Sequence, residues 1–525
     1  MTAFTNLAPT TKAEEVMQQD SQKNGEIELF PPTRGEVTPL IDGERAFAEM
    51  YDKISRLQAG SYLYMSFWYI QLDTQLKGKD TKGNSVTVTI EQLLKQVADR
   101  GVQVRILISK LGCVKRLPFP GAPDKPIGFC PPVTKPAEDL ARAMNAIHNK
   151  NIKALVTVHP YTASFFGVKF TPGCSHEKLI IVDRRYVFCG GLEFARTYSN
   201  ADPSHMKPNA DPKLHKKYPR SYRHDVHSLI EGPVVKHFEQ HFITRWREAR
   251  SGKDPDVPDL APPASANPYY DSTKTKHAVQ VAITKSVAGS NDFKTISQGV
   301  LEAYQTAIQN AEKYIYIENQ YFRSQELTDL LIKQLRDKPD LRVILVLPIR
   351  SEEDENAFTN YADFIQRKLI ESLQQSGRDR FGVFSLRLHW EDGGDLYVHS
   401  KVMIVDDKWY TIGSANTNPR SFHLDNEINI VVRDDQTARQ LRMDLWKEHM
   451  QAGEQLIKQF SLENSKQFVK MWTAIAKANK NRRTLKERAV IHTPPKGEDL
   501  PFQFRLFPIN PKKFVMGELQ PSSYA

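Results

Sequence analysis

The chain has 525 residues, with 72 basic and 62 acidic side chains for a formal net charge of +10, and 40% of it is hydrophobic. That apolar content excludes wholesale disorder, and the length allows about two to four domains or one large two-lobed unit. No apolar run approaches the roughly 18 residues that span a bilayer. The basic excess points to anionic partners without choosing among phospholipid, nucleic acid and phosphate substrates.

Residues 1–36 are polar and aperiodic and reach Pro31-Pro32 near their end, which predicts a flexible N-terminal tail. The opening residues carry neither a basic stretch nor an apolar segment of the kind a secretory leader needs. Synthesis in the cytoplasm is therefore expected, with export only by a route that reads no such signal. A helical pattern follows at 46–57, then an aromatic-apolar strand at 61–70, a helix at 90–100 and a strand at 102–109. The basic stretch 209–225 reads as a surface loop, and the proline-rich 251–272 as a linker. The order then recurs: helix at 296–310, strand at 313–322, helix at 327–335, strand at 341–348. After Phe460 comes an amphipathic helix and a basic run at 477–488, read as a solvated face. Helices alternating with buried strands indicate an α/β fold. The recurrence predicts a first lobe over 37–250, a linker over 251–278, and a second lobe with a C-terminal helical extension over 279–525. Cys113, Cys130, Cys174 and Cys189 read as buried thiols with at most one local bridge.

The recurrence carries chemistry. HEKLIIVDRRYVFCGG places His176, Lys178 and Asp183 in the spacing H-x-K-x4-D, and HSKVMIVDDKWYTIGS places His399, Lys401 and Asp406 in the same spacing. A single match is weak; two in matching strand-turn-strand contexts are strong. On an extended strand the His and Lys of H-x-K share one face. Asp183 and Asp406 end those strands at a turn, a structural position. The small residues that follow, Gly190-Gly191 and Gly413-Ser414, suit close backbone approach to a phosphoryl group, which nominates Gly191 and Ser414 as phosphate contacts.

Two His-Lys pairs related by a duplication imply a pseudo-two-fold axis that brings them face to face. That constellation suits phosphodiester chemistry without a metal or cofactor. One neutral imidazole attacks phosphorus, the other protonates the leaving alcohol, and two ammonium groups offset the charge on the equatorial oxygens. Each ring needs an acceptor on its second nitrogen. Asp225 in YRHDVHSLI and Glu427 in DNEINIVV, on the strands after the motifs, are the candidates.

The two H-x-K-x4-D motifs, Gly413-Ser414-x-Asn416 with Arg420-Ser421, and IENQYF at 317–322 resemble the phospholipase D superfamily, specifically its two-motif eukaryotic-type phospholipases and their bacterial relatives. The resemblance spans roughly residues 40–450. It implies two pseudo-symmetric α-β-α sandwich lobes with the active site between them. It also implies that His176 is the nucleophile, forming a phosphohistidine, and that His399 is the general acid. Lys178, Lys401 and Asn416 would hold the phosphate. Asp225 and Glu427 match the orienting acids, without indicating which acid serves which histidine. Glu193 stands where the second half has Asn416, so the first half lacks that amide, as eukaryotic-type relatives do.

The expected activity is that of a phospholipase D, cleaving or transferring the head group of glycerophospholipids at a membrane surface, with peripheral association and no nucleic acid partner. Aromatic and apolar clusters at 117–132 and 161–170 are candidate insertion loops. The alternatives are a nuclease of the same fold, a cardiolipin-synthase-like phosphatidyltransferase, and a non-catalytic scaffold. No continuous basic groove with stacking aromatics favours the nuclease. A two-motif phospholipase of this size without a leader also resembles lipase toxins delivered between bacteria. That reading adds an immunity protein as partner; no obligate protein partner is otherwise expected.

Overall fold

The computed structural model describes residues 30–80, 82–110, 137–147, 150–159, 163–165, 168–170, 173–195, 223–250, 258–260, 277–288, 293–348, 357–387, 395–450, 454–489 and 506–508. The first half opens with β1 (Thr33–Ile41), α1 (Gly43–Ser55), β2 (Tyr62–Phe67), the hairpin β3–β4 (Gln75–Lys79 and Ser85–Thr89) and α2 (Ile90–Asp99). It continues through β5 (Gln103–Lys110), α3 (Ala137–Asn145), β6 (Ile152–Val158) and the short pair β7–β8 (Ala163–Phe165 and Val168–Phe170). It closes with β9 (Leu179–Val182), β10 (Tyr186–Gly190), β11 (Arg223–His224), β12 (Val226–Glu231) and α4 (Val235–Arg250).

The second half has β13 (His277–Ala288), β14 (Phe293–Gln298), α5 (Gly299–Asn310), β15 (Tyr314–Asn319), α6 (Gln325–Asp337), β16 (Arg342–Val346) and α7 (Ala357–Gly377). After these come β17 (Phe381–Arg387), β18 (Asp395–Val398), β19 (Lys401–Val405), β20 (Trp409–Gly413) and β21 (Glu427–Arg433). The chain ends in α8 (Asp435–Met450), α9 (Phe468–Ala489) and β22 (Leu506–Pro508).

Strand pairing runs β6-β5-β2-β9-β10-β12-β1 in the first half and β17-β16-β15-β19-β20-β21-β13 in the second. The first two pairings of each series are parallel and the rest antiparallel, so the strand order is the same in the two halves. β1 and β13 pair with each other through Thr33–Gly35, which joins the halves edge to edge.

Side-chain alternation divides each sheet between two cores. Leu63, Met65 and Phe67 of β2 face an outer core with α1, α2 and α3, while Tyr64 faces inward. In β15, Ile315 and Ile317 face an outer core with α5 and α6, while Tyr314 and Tyr316 face inward. Both inner faces share one central core with Phe242 and Trp246 of α4, Trp446 of α8 and Trp472 of α9. Each sheet is thus covered by helices on both sides, an α-β-α arrangement. α2 starts where it does because Thr89 and Gln92 form a reciprocal capping box.

Several expectations change. The first strand begins at Thr33, inside the stretch read as a tail, and Phe30 is buried against the central core. The β3–β4 hairpin is not legible in the sequence because QLKGK and SVTVT are mostly polar; Leu76 is buried in the outer core, with Val86 and Val88 packed against it. The stretch read as a surface loop ends in the interior, where His224 and Asp225 are fully buried. β13 begins at His277, inside the linker stretch, and Pro258 of that stretch accepts a hydrogen bond from Trp246 Nε1 at 3.0 Å. Cys174 and Cys189 are free and buried. Cys113, Cys130, the 117–132 cluster and most of 1–36 and 209–225 lie outside the described residues, as do the side chains of 161–170.

Each half anchors the turn after its motif to the following long helix with an ion pair and a tyrosine, the pair buried in the second half and part-exposed at Arg184 in the first. In the second half Arg442 of α8 pairs with Asp407 at 2.6 and 2.8 Å, and Tyr314 donates its hydroxyl to Asp407 at 2.7 Å. In the first the charges are reversed: Arg184 on the turn meets Glu239 of α4 at 3.1 Å, with Tyr62 bonded to both. Arg184 tolerates the position with φ 57, as Asp407 does with φ 53. Removing one partner strands a buried charge, so Arg442→Glu should cost about 3–5 kcal/mol in urea unfolding. The double change Asp407→Arg with Arg442→Glu should recover a large part of that loss.

Candidate active site

The two H-x-K segments lie side by side because each leaves its sheet at the same point and pairs with the other half. Ser175 bridges Asn426 in parallel, and the His176 N–H donates to the Asn426 carbonyl at 2.9 Å. On the other side β11 pairs in parallel with β18, and the His399 N–H donates to the His224 carbonyl at 2.8 Å. In both cases the carbonyl belongs to the residue just before an acid, Glu427 or Asp225.

The acids therefore serve the histidines crosswise. His176 Nδ1 donates to Glu427 at 3.1 Å, and the Ser414 carbonyl lies at 3.1 Å from the same nitrogen. His399 Nδ1 donates to Asp225 Oδ2 at 2.7 Å. Glu427 comes from the second half and His176 from the first; Asp225 and His399 reverse that origin. With Nδ1 engaged, Nε2 is each ring's reactive nitrogen. Trp68 approaches the His176 ring edge-on at 6.1 Å.

The lysines are held from below. Lys178, fully buried, donates to the His176 carbonyl at 2.7 Å and pairs with Glu193 at 3.0 Å. Lys401 donates to the His399 carbonyl and to Gln320 Oε1 at 3.1 Å. Gln320 belongs to IENQYF, but residue type and spacing in the sequence do not single it out. The Asn416 N–H is held by Ser421 Oγ at 3.1 Å, while its buried Oδ1 has no hydrogen-bond partner among the described residues.

Gly191 and Ser414 are engaged differently from the phosphate contacts expected of them. A Cβ on Gly191 would lie 2.2 Å from Asp225 Oδ1, so the missing side chain makes room for the orienting acid. The Gly191 N–H goes to the Val226 carbonyl at 3.2 Å. Ser414 gives its hydroxyl to Glu427 at 2.6 Å and its N–H to the Ile428 carbonyl at 3.0 Å. Ser421 donates to the other Glu427 oxygen at 2.6 Å. Asp406 accepts three backbone N–H groups, from Glu312, Lys313 and Tyr314, at 2.7–2.9 Å, and Asp183 one from Tyr62 at 3.4 Å. Both lie at the turn, with φ of 54 and 49.

Burial sets the protonation states. It pushes Asp225 up to about 7, against the pull of Lys401, and Glu427 up to about 8, against the pull of Lys178. It lowers Lys401 to about 7. Burial and then the two lysines hold the His176 imidazole well below its ordinary value. His399 is lowered by burial, then Lys401, Arg223, Lys178 and His176. Both lysines are thus in electrostatic reach of both rings. His399 and Asp225 titrate as one unit. Because burial raises the acid, that unit holds its extra proton to higher pH than a free carboxyl does and loses it as the pH rises further. Histidine NMR titration should show this step, and Asp225→Asn should move it to lower pH by removing the counterion.

Among the described residues, His224, Glu318 and His449 bring three ligating atoms together, as do Asp42, His224 and Glu448. Hydrogen bonds already occupy the first group: Glu318 takes Ser400 at 2.6 Å, Tyr316 at 2.9 Å and His449 at 3.2 Å, besides a close contact from His224. Burial opposes a charge on His224, but Glu318 and Asp42 outweigh it and hold the ring protonated well above its ordinary range. A proton suffices to bind this group together.

Two lobes of one strand order, with an imidazole and a lysine from each at their junction, define the class of protein. The chain belongs to the phospholipase D superfamily. A phospholipase D family model matches residues 193–335, and a model described as the phospholipase D-like domain of cardiolipin synthase matches 304–448. The second motif lies inside these segments and the first just before them. Phospholipase D2 of Bos taurus is 24% identical over 506 aligned residues, covering 77% of this chain and 50% of that protein. Phospholipase D1 of Saccharomyces cerevisiae is 23% identical over 476, covering 75% and 27%. The chain thus spans half or less of the length of these two relatives. The crystal structure of a phosphatidylserine synthase from Haemophilus influenzae superposes with a TM-score of 0.50 at 14% identity, covering 91% of this chain and 99% of that one. That likeness is one of fold. No helix among the described residues is long and apolar enough to cross a membrane.

Proposed function

We propose that the chain is a phospholipase D that cleaves the distal phosphodiester of glycerophospholipids to phosphatidic acid and the head-group alcohol. The observation that carries this reading is the crossed pairing of Glu427 with His176 and Asp225 with His399. Each ring has its inner nitrogen fixed, so its Nε2 is held ready for phosphorus or for the leaving oxygen. In the first step His176 Nε2 attacks phosphorus while Glu427 takes up the growing positive charge on the ring. His399, protonated and paired to Asp225, gives its proton to the head-group oxygen as the P–O bond breaks. Lys178, Lys401 and the Asn416 amide face the non-bridging oxygens and offset their charge. In the second step His399 takes a proton from water or an alcohol, whose oxygen displaces His176 from phosphorus.

A neutral ring attacks and a protonated one does not; burial keeps the His176 imidazole neutral, as it does that of His399 before substrate enters. The anionic phosphodiester, once in the site, raises His399 toward its donor state. The curated relatives named phospholipase D support the lipid as substrate. The cardiolipin synthase domain description supports a second reading, phosphatidyl transfer to an alcohol acceptor by the same two steps.

Phosphatidylcholine vesicles incubated with the protein and a primary alcohol should yield phosphatidic acid and the phosphatidyl-alcohol ester, both seen by mass spectrometry. His176→Ala should lower that turnover by at least about a thousandfold and abolish the phosphohistidine trapped in a rapid quench. His399→Ala should spare phosphoenzyme formation only on esters whose leaving group needs no proton. EDTA should leave the rate unchanged, since lysines neutralise the phosphate. A preparation that cuts DNA and leaves vesicles intact would overturn the lipid assignment.

A further inference from the structure

Glu318 on β15 is fully buried, and its two oxygens take donors from four places. Ser400 Oγ, between the second-motif His and Lys, donates at 2.6 Å. Nε2 of His224, the residue before Asp225, makes a close ion pair with the same oxygen. Tyr316 and His449 of α8 donate to the other at 2.9 and 3.2 Å. The carboxylate therefore links the residue after His399 to the residue before Asp225. A second loop closes the same pair from behind. His224 Nδ1 donates to Asp42 at 2.9 Å, and the Asp42 N–H donates to the Asp225 carbonyl at 2.8 Å. Through these bonds Glu318 fixes the strand segments on which His399 and Asp225 stand.

The first half builds the same device with its residues exchanged. Ser66 pairs with Leu179 in the sheet, just as Glu318 pairs with Val402, and each partner stands three residues beyond its motif histidine. Ser66 thus occupies the place of Glu318, and Glu177, between His176 and Lys178, the place of Ser400. Ser66 Oγ donates to Glu177 at 3.2 Å, and His241 of α4 adds a bond at 2.8 Å. Each H-x-K therefore rests on one buried Ser–Glu pair. The carboxylate sits on the motif strand in one half and on the neighbouring strand in the other. Either order supplies one acceptor for a hydroxyl and a buried histidine.

We propose that Glu318 is the positioning residue for the proton donor. It holds His399 and Asp225 at transfer geometry, and the Ser–Glu pair beneath them works in either order. The inference rests on the phospholipase D reading above. Among the described residues the side-chain partners of Glu318 are Ser400, His224, Tyr316 and His449, none of them in 174–178 or 426–427, so its loss falls on the donor side and spares the nucleophile. A purely structural prop would not distinguish the two.

Two substrates separate these effects in the full chain: phosphatidylcholine, whose alkoxide must be protonated, and phosphatidyl-p-nitrophenol, whose phenolate leaves without a proton. Glu318→Ser should lower kcat on phosphatidylcholine by about a hundredfold or more, the range of general-acid contributions. On the p-nitrophenyl ester it should lower kcat by less than about tenfold. The exchange Glu318→Ser with Ser400→Glu should restore at least about tenfold on phosphatidylcholine. Ser400→Ala, which deletes one donor only, should show the same leaving-group bias at smaller size, and it reads the effect if Glu318→Ser does not fold. Equal losses on both substrates in each folded variant, or a folded exchange variant that restores nothing, would overturn the proposal. A wild-type protein that cleaves neither lipid would instead remove the proposed function, and this inference with it.

Discussion

The structure depends on a crossed pair of hydrogen bonds, Glu427 to His176 and Asp225 to His399, each spanning the two halves. Neither histidine has its acid within its own half. A half folded alone would present an imidazole whose Nδ1 lacks its acceptor and a carboxylate without the histidine it orients. Once the junction is closed, losing either bond is costly, because an ionisable group in the interior gives up its hydration and needs a partner in return. The site and the junction of the halves are in this sense the same object. The backbone bonds from His176 to Asn426 and from His399 to His224 set the rings at the distance the acids need.

Around this junction both halves use the same geometry with different residues. Arg184 and Glu239 in one half become Asp407 and Arg442 in the other, and Glu177 and Ser66 become Ser400 and Glu318. What persists is the demand, not the residue. A buried donor needs an acceptor and a buried charge needs its opposite, and the positions along the two strands are close enough that either can supply either. The reversed charge polarity also keeps each helix on its own half, since α8 offered to the first turn would set Arg442 against Arg184.

Gly191 and Ser414 illustrate how a local signal for close approach leaves the neighbouring group unnamed. Small residues after the motif strand do admit something tightly packed. In the first half it is the carboxylate of Asp225, 2.2 Å from where a Cβ would be. In the second it is Glu427, which takes the Ser414 hydroxyl. Nothing in the spacing of residues 190 and 191 could name a partner more than thirty positions along the chain. The same limit hid the burial of His224 and Asp225, which the basic composition of the stretch around them does not indicate.

The amino-acid sequence by itself determined the α/β alternation, the recurrence of helix and strand, and the two H-x-K-x4-D segments with Asp225 and Glu427 on the strands after them. These are local properties: a two-residue period, a turn, a fixed offset along one strand. Tertiary structure alone decided that each acid crosses to the other half's histidine, that β1 and β13 join the sheets, and that Glu318 gathers Ser400, His224, Tyr316 and His449 into one buried group. Those pairings bring together residues more than two hundred positions apart in the crossed bond of His176 with Glu427. Which distant donor meets which acceptor is settled by how the two sheets pack, because only packing excludes water from the pair and so makes one partner better than every other.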